Sequence, residues 1–77
     1  MYVEFITKQR AYVLLVSLGH LNPSKQDVGD FCELVNGAIV LFNQDFGLSP
    51  KDNLAWVLSR NKHLARFSWV LNLNLSL

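Results

Sequence analysis

The stretch from Ser24 to Gly47 constrains this chain more than any other. Projected on a helix at about 100° per residue, its apolar side chains gather on one side. Val28, Phe31, Cys32, Leu34, Val35, Ala38, Ile39, Leu41, Phe42 and Phe46 fall within roughly half the circumference. Gly29, Asp30, Glu33, Asn36, Gly37, Asn43 and Gln44 take the other half, and only Val40 and Asp45 break the pattern. The boundaries agree. Ser24 with Asp27 three residues on has capping-box spacing, with Asp in place of the usual Glu or Gln. Gly47 stands where a left-handed residue would end the helix.

A hairpin is the rival reading, because Asn36-Gly37 is a strong two-residue turn signal flanked by apolar residues. An interior Gly costs a helix about 1 kcal/mol relative to Ala. Burial of each large apolar side chain returns roughly 1.5–3 kcal/mol, so the helix is favoured, with a kink or break near Gly37 as a variant of it.

The segments on either side of this helix are shorter. Tyr2–Ile6 alternates and reads as a strand, or as the first turns of a longer helix. Thr7 is a candidate N-cap, followed by a polar Lys8-Gln9-Arg10 turn. Ala11–Leu18 is apolar on nearly every face. Periodicity does not separate helix from strand there, and its length before Gly19 favours a helix. Ser49, Pro50 and Asp52 supply an N-cap, a proline at the first helical position and an early acid. A third helix then carries Leu54, Val57, Leu58, Leu64 and Ala65 on one face and ends near Arg66. From Phe67 the period changes to two. Phe67, Trp69, Leu71, Leu73, Leu75 and Leu77 alternate with Ser68, Val70, Asn72, Asn74 and Ser76, the pattern of a half-buried strand. The expected fold is therefore mainly α with minor β: one compact three-helix domain over residues 1–77, with a C-terminal strand for which Tyr2–Ile6 is the available partner.

Composition bears on association. Of the 77 residues 51% are hydrophobic and only 17% are charged, where a soluble domain averages roughly 25% charged. A chain this short buries a modest fraction of its surface, so part of the apolar excess is expected to meet a partner, and a homodimer is the simplest one. A leucine-faced edge strand would supply the contact through Leu71, Leu73 and Leu75. No apolar run approaches the 18 or so residues of a membrane span; the longest is Ala11–Val16. No secretory leader pattern is present, and the lone Cys32 forms no internal disulfide, so a cytoplasmic setting is expected. A net charge of +1 gives no global attraction to nucleic acid or anionic lipid.

Catalytic chemistry finds little support. Cys32 lies on the apolar face, where a thiol behaves as a small hydrophobe. His20, His63 and Cys32 lack metal-ligand spacing, and Asp27, Asp30 and Glu33 read as a solvated acidic edge suited to a helix N-terminus. There is no glycine-rich phosphate loop and no nucleophile elbow. No cofactor, metal or catalytic residue is assigned. The most suggestive constellation is Trp56, Arg60, His63 and Phe67, spaced four, three and four and flanked by Lys62 and Arg66. On one continuous helix these would form a basic-aromatic stripe fit for a protein hot spot or for stacking on bases. Against that stands the plain alternative that the rings pack inward while the cations reach outward. A helix-turn-helix built on Gly47 is disfavoured, since Pro50 and Asp52 would open the recognition helix and Asp repels phosphate.

Leu71-Asn72-Leu73-Asn74-Leu75 resembles the short Leu-x-Leu-x-Leu repression motif of plant transcriptional regulators. That resemblance implies corepressor recruitment. It rests on Leu71–Leu77 alone, and any leucine-faced strand would produce it, so it assigns no family. The expected function is a small non-enzymatic protein that binds and modulates another protein as a homodimer. A nucleic-acid-binding regulator using the stripe is the alternative.

Overall fold

The computed structural model describes residues 2–74, in which four helices pack around one core. Helix α1 spans Lys8–Ser17, α2 Lys25–Gln44 and α3 Pro50–Arg60; a fourth helix, α4, spans Lys62–Asn72 and is of 3-10 type. Among the described residues there is no strand, which corrects the expected mainly-α fold with minor β.

Local chemistry sets the boundaries. The Thr7 hydroxyl accepts from the Arg10 amide at 3.1 Å and opens α1. Gly19, at φ 95°, closes it: its amide donates to Val16 O, and the His20 amide reaches back to Leu15 O, the paired bonds of a Schellman motif. The Ser24 hydroxyl accepts from the Asp27 amide at 3.0 Å while the Asp27 carboxylate accepts from the Ser24 amide at 3.1 Å, so α2 begins with the full capping box. Asn36-Gly37 lies inside α2, not at a turn. Helix α2 stops earlier than Gly47 suggests, at Gln44, where Asp45 takes the left-handed conformation at φ 55°. The Ser49 hydroxyl caps the Asp52 amide at 3.1 Å, with Pro50 at the head of α3.

Helix α3 ends at Arg60, not near Arg66. Asn61 turns extended, and its side-chain amide donates to Val57 O at 2.9 Å, taking over a carbonyl that the helix would otherwise leave open. The chain then restarts as α4 through the Leu64 amide on Asn61 O. Here the expected C-terminal strand is overturned. In α4 the buried residues are Leu64, Phe67 and Val70, and half-buried Leu73 continues the series just past its end. That is a repeat of three, the period at which 3-10 side chains eclipse. The same residues contain a repeat of two, because Trp69 and Leu71 are also apolar. The three-fold pattern prevails because it lays one stripe against α2 and α3. Val70, which a strand would turn toward solvent, is 3% exposed.

The core joins Ala11 and Leu15 of α1, Phe31 and Leu34 of α2, Val57 of α3, and Leu64, Phe67 and Val70 of α4. Phe67 is central, its ring tilted 58° to that of Phe31 at 5.8 Å between centroids, within the favourable range for aromatic pairs. Helices α2 and α3 approach closely at Gly37, where an added Cβ would stand 3.2 Å from both methyls of Val57.

The N-terminal stretch is extended but pairs with no strand among the described residues, which corrects the expected Tyr2–Ile6 strand. It lies along the polar side of α2, held by two asparagine side chains. The Asn43 carboxamide accepts from the Val3 amide at 2.8 Å and donates to the Val3 carbonyl at 2.9 Å. The Asn36 carboxamide does the same to Ile6, at 2.8 and 3.0 Å.

Candidate functional site

The four residues of the expected stripe do not stay together. Trp56 is 45% exposed on α3, and the Arg60 guanidinium lies over its ring at 4.8 Å from the centroid. This i, i+4 pair is a cation–π contact on the outer face of the helix. The break at Asn61 then rotates the remainder away. His63 sits on α4 with Nε2 at 3.1 and 3.2 Å from the two Glu33 carboxylate oxygens. Phe67 is 1% exposed and belongs to the core. Of the residues placed at a dimer strand, Leu71 and Leu73 are half-buried against the core, and Leu75 lies outside the described residues. The Leu-x-Leu-x-Leu stretch therefore presents no continuous leucine edge over its described part.

The acidic edge of α2 is a lock between α2 and α4. The Arg66 guanidinium donates to Asp30 at 2.7 Å and to Asp27 at 3.2 Å, and through its other terminal nitrogen to the His63 carbonyl at 2.7 Å. It also covers the Phe67 ring at 4.6 Å. Asp30 is buried, and its second oxygen accepts from the Gln26 amide at 2.8 Å. The hydrogen bond from Arg66 holds the Asp30 carboxyl below its ordinary range against the opposing effect of burial. Asp27 is lowered as well, first by the Ser24 backbone amide and then by Arg66. Ligating atoms of Asp30, Glu33 and His63 come within 4.8 Å of one another. They do not make a metal centre: both Asp30 oxygens are engaged, and the Arg66 charge lies where a cation would be repelled.

Sequence reasoning missed two further features. The first is an apolar groove of about 360 Å³ among the four helices, walled by Leu14, Leu18, Val35, Phe42, Leu54 and Leu73, with Val3 of the extended stretch on its rim. Asn53 also lies at the groove; it is 1% exposed, and neither its side-chain oxygen nor its nitrogen has a hydrogen-bond partner among the described residues. The second is the pair of carboxamides that hold Val3 and Ile6. Their only sequence signal is spacing: Asn36 and Asn43 are seven apart, two helical turns, and share a side of α2.

Cys32 is half-buried with its sulfur 3.6 Å from the Ile6 carbonyl oxygen and 3.4 Å from the Asn36 amide nitrogen. In these contacts the sulfur meets a backbone carbonyl and a side-chain amide, neither of which is a general base. Among the described residues no helix is long and apolar enough to cross a membrane. In comparisons with known proteins the chain matches no family model, no curated protein and no solved structure.

Proposed function

We propose that this chain is a non-enzymatic interaction protein that binds another protein through the outer face of α3, centred on Trp56 and Arg60. The observation that carries the reading is the exposed Trp56 ring with the Arg60 guanidinium stacked on it at 4.8 Å. Trp and Arg are the residue types most enriched at protein hot spots, and an indole half out of water gains by being covered. Protein is favoured over nucleic acid because Arg66, the arginine flanking the expected stripe, is already engaged. Arg66 is paired with Asp27 and Asp30, and His63 contacts Glu33. A phosphate-tracking surface needs such charges free. A reducing cytoplasmic setting suits a chain with a single half-buried thiol.

The test is parallel affinity capture from the native host on immobilised parent and on a Trp56→Ala/Arg60→Ala variant. The reading expects a protein held by the parent, lost from the variant, and unaffected by nuclease or by 0.5 M salt. Equal retention by both chains would refute the Trp56–Arg60 assignment. Loss on nuclease treatment or at raised salt would move the assignment to nucleic acid.

A further inference from the structure

The polar side of α2 carries a device built to hold the backbone of an extended chain. Each of Asn36 and Asn43 offers one acceptor and one donor to a single residue, replacing the two bonds that a neighbouring strand would make. The register is matched. Seven helical residues rise about 10.5 Å, and three residues of extended chain cover about 9–10 Å. The carboxamides therefore meet Val3 and Ile6 at equal spacing along both chains. Because they address backbone, they place no demand on the side chains between: Glu4 and Phe5 are exposed. The occupant's own side chains contribute at two places, where Ile6 packs against the core and Val3 borders the apolar groove.

We infer that this site is an interface between two copies of the chain, in which Val3–Ile6 of one copy occupies the Asn36–Asn43 site of the other. The occupant is a second copy because this segment is the one whose fit to the site is seen, and exchange remakes each of its hydrogen bonds. The hinge is already extended, since Thr7 stands outside α1 at φ −88° and ψ 168°. Exchange also gives a use to exposed apolar side chains in the segment and on α1. Tyr2 is 69% exposed, Phe5 54%, Val13 52% and Tyr12 49%, and a neighbouring copy drawn in by the segment would cover them. Within one chain the segment has an effective concentration on the order of millimolar, so exchange rises steeply with protein concentration. The proposal does not depend on the Trp56–Arg60 surface.

Complementation tests it. In one full-length variant, Val3→Pro/Ile6→Pro removes the two amide donors from the segment. In another, Asn36→Ala/Asn43→Ala removes the receiving carboxamides. Neither alone contains a working pair, within a chain or between identical chains. Mixed one to one at several hundred micromolar, they hold one working pair between them. Sedimentation is expected to show each variant alone at the 8.8 kDa of one chain and the mixture moving toward twice that mass. A mixture that stays at one chain while both variants retain parental helicity would overturn the proposal. Should either double variant fail to fold, the parent and Asn43→Ala are compared from about 10 µM to 1 mM. A dimer that grows in the parent and is at least ten-fold weaker in Asn43→Ala supports exchange. A parent that stays monomeric, or a dimer indifferent to Asn43, excludes it.

Discussion

Two glycines in α2 make a controlled comparison, since the same substitution at each should change stability in opposite directions. Gly29 has nothing within 4 Å of an added Cβ. Replacing an interior helical Gly by Ala gains about 0.5–1 kcal/mol in backbone entropy, so Gly29→Ala should stabilise by that amount. Gly37 gains the same term but brings its Cβ to 3.2 Å from both Val57 methyls. Val57 is 5% exposed and β-branched, with one preferred rotamer in a helix, so it yields only by moving α3. Overpacking of this kind costs about 1–3 kcal/mol. The net for Gly37→Ala is then a destabilisation of up to about 2 kcal/mol. Removing the obstacle should reverse the sign: in a Val57→Ala background, Gly37→Ala should stabilise by up to about 1 kcal/mol. Urea denaturation of the four chains in the Gly37–Val57 cycle, with Gly29→Ala beside them, gives each value. A coupling of less than about 0.5 kcal/mol between positions 37 and 57 would refute the α2–α3 approach, because residues not in contact add independently.

Phe67→Ala should destabilise by about 3–5 kcal/mol in the same assay, since its ring is the largest side chain fully enclosed in the core; a loss below 1 kcal/mol would mean that Phe67 faces solvent. Asn53→Leu should stabilise by about 1–3 kcal/mol, because it replaces a buried amide without partners by an apolar side chain of similar size, and a raised melting temperature is the readout. Arg66→Ala should cost about 1–2 kcal/mol at neutral pH, a discounted figure because Arg66 is 43% exposed on its side chain. Its partners have folded-state carboxyl values below the ordinary 3.8, so their contribution is complete well above that pH and is lost as pH falls through the lowered values. Acid titration of stability should therefore be steeper below pH 4 in the parent than in Arg66→Ala, and equal slopes would contradict the lock.

Some of this architecture is legible in the sequence and some is not, for physical reasons. The capping chemistry of Ser24 and Ser49 is local, and both helices begin where those residues predict. The apolar stripe of α2 is also local, and the cost of Asn36-Gly37 inside it is small beside the burial it allows. What fails is what depends on another part of the chain. Asp30, Asn36 and Asn43 sit on the polar half of α2 and read as solvated, yet Arg66 covers the first and Val3–Ile6 covers the other two. Helix α4 fails differently. Leu64, Phe67 and Val70 carry a three-residue repeat and Phe67, Trp69 and Leu71 a two-residue one, so the local pattern is degenerate until the other helices supply a surface to pack on. Trp56, Arg60, His63 and Phe67 form one stripe only on a helix that continues through Asn61. The side-chain bond from Asn61 to Val57 O is what divides it.

The identity of residues 62–72 decides which face of the protein is core and which is free to bind. It is settled most directly by NMR of the full chain, reading the backbone carbon shifts of Lys62–Asn72 together with the Phe67 ring contacts. The account predicts helical shifts across the segment, close ring contacts from Phe67 to Phe31, and no cross-strand contacts to Tyr2–Ile6. Extended shifts from Phe67 onward, with amide-to-amide contacts between that segment and the N-terminal stretch, would contradict it.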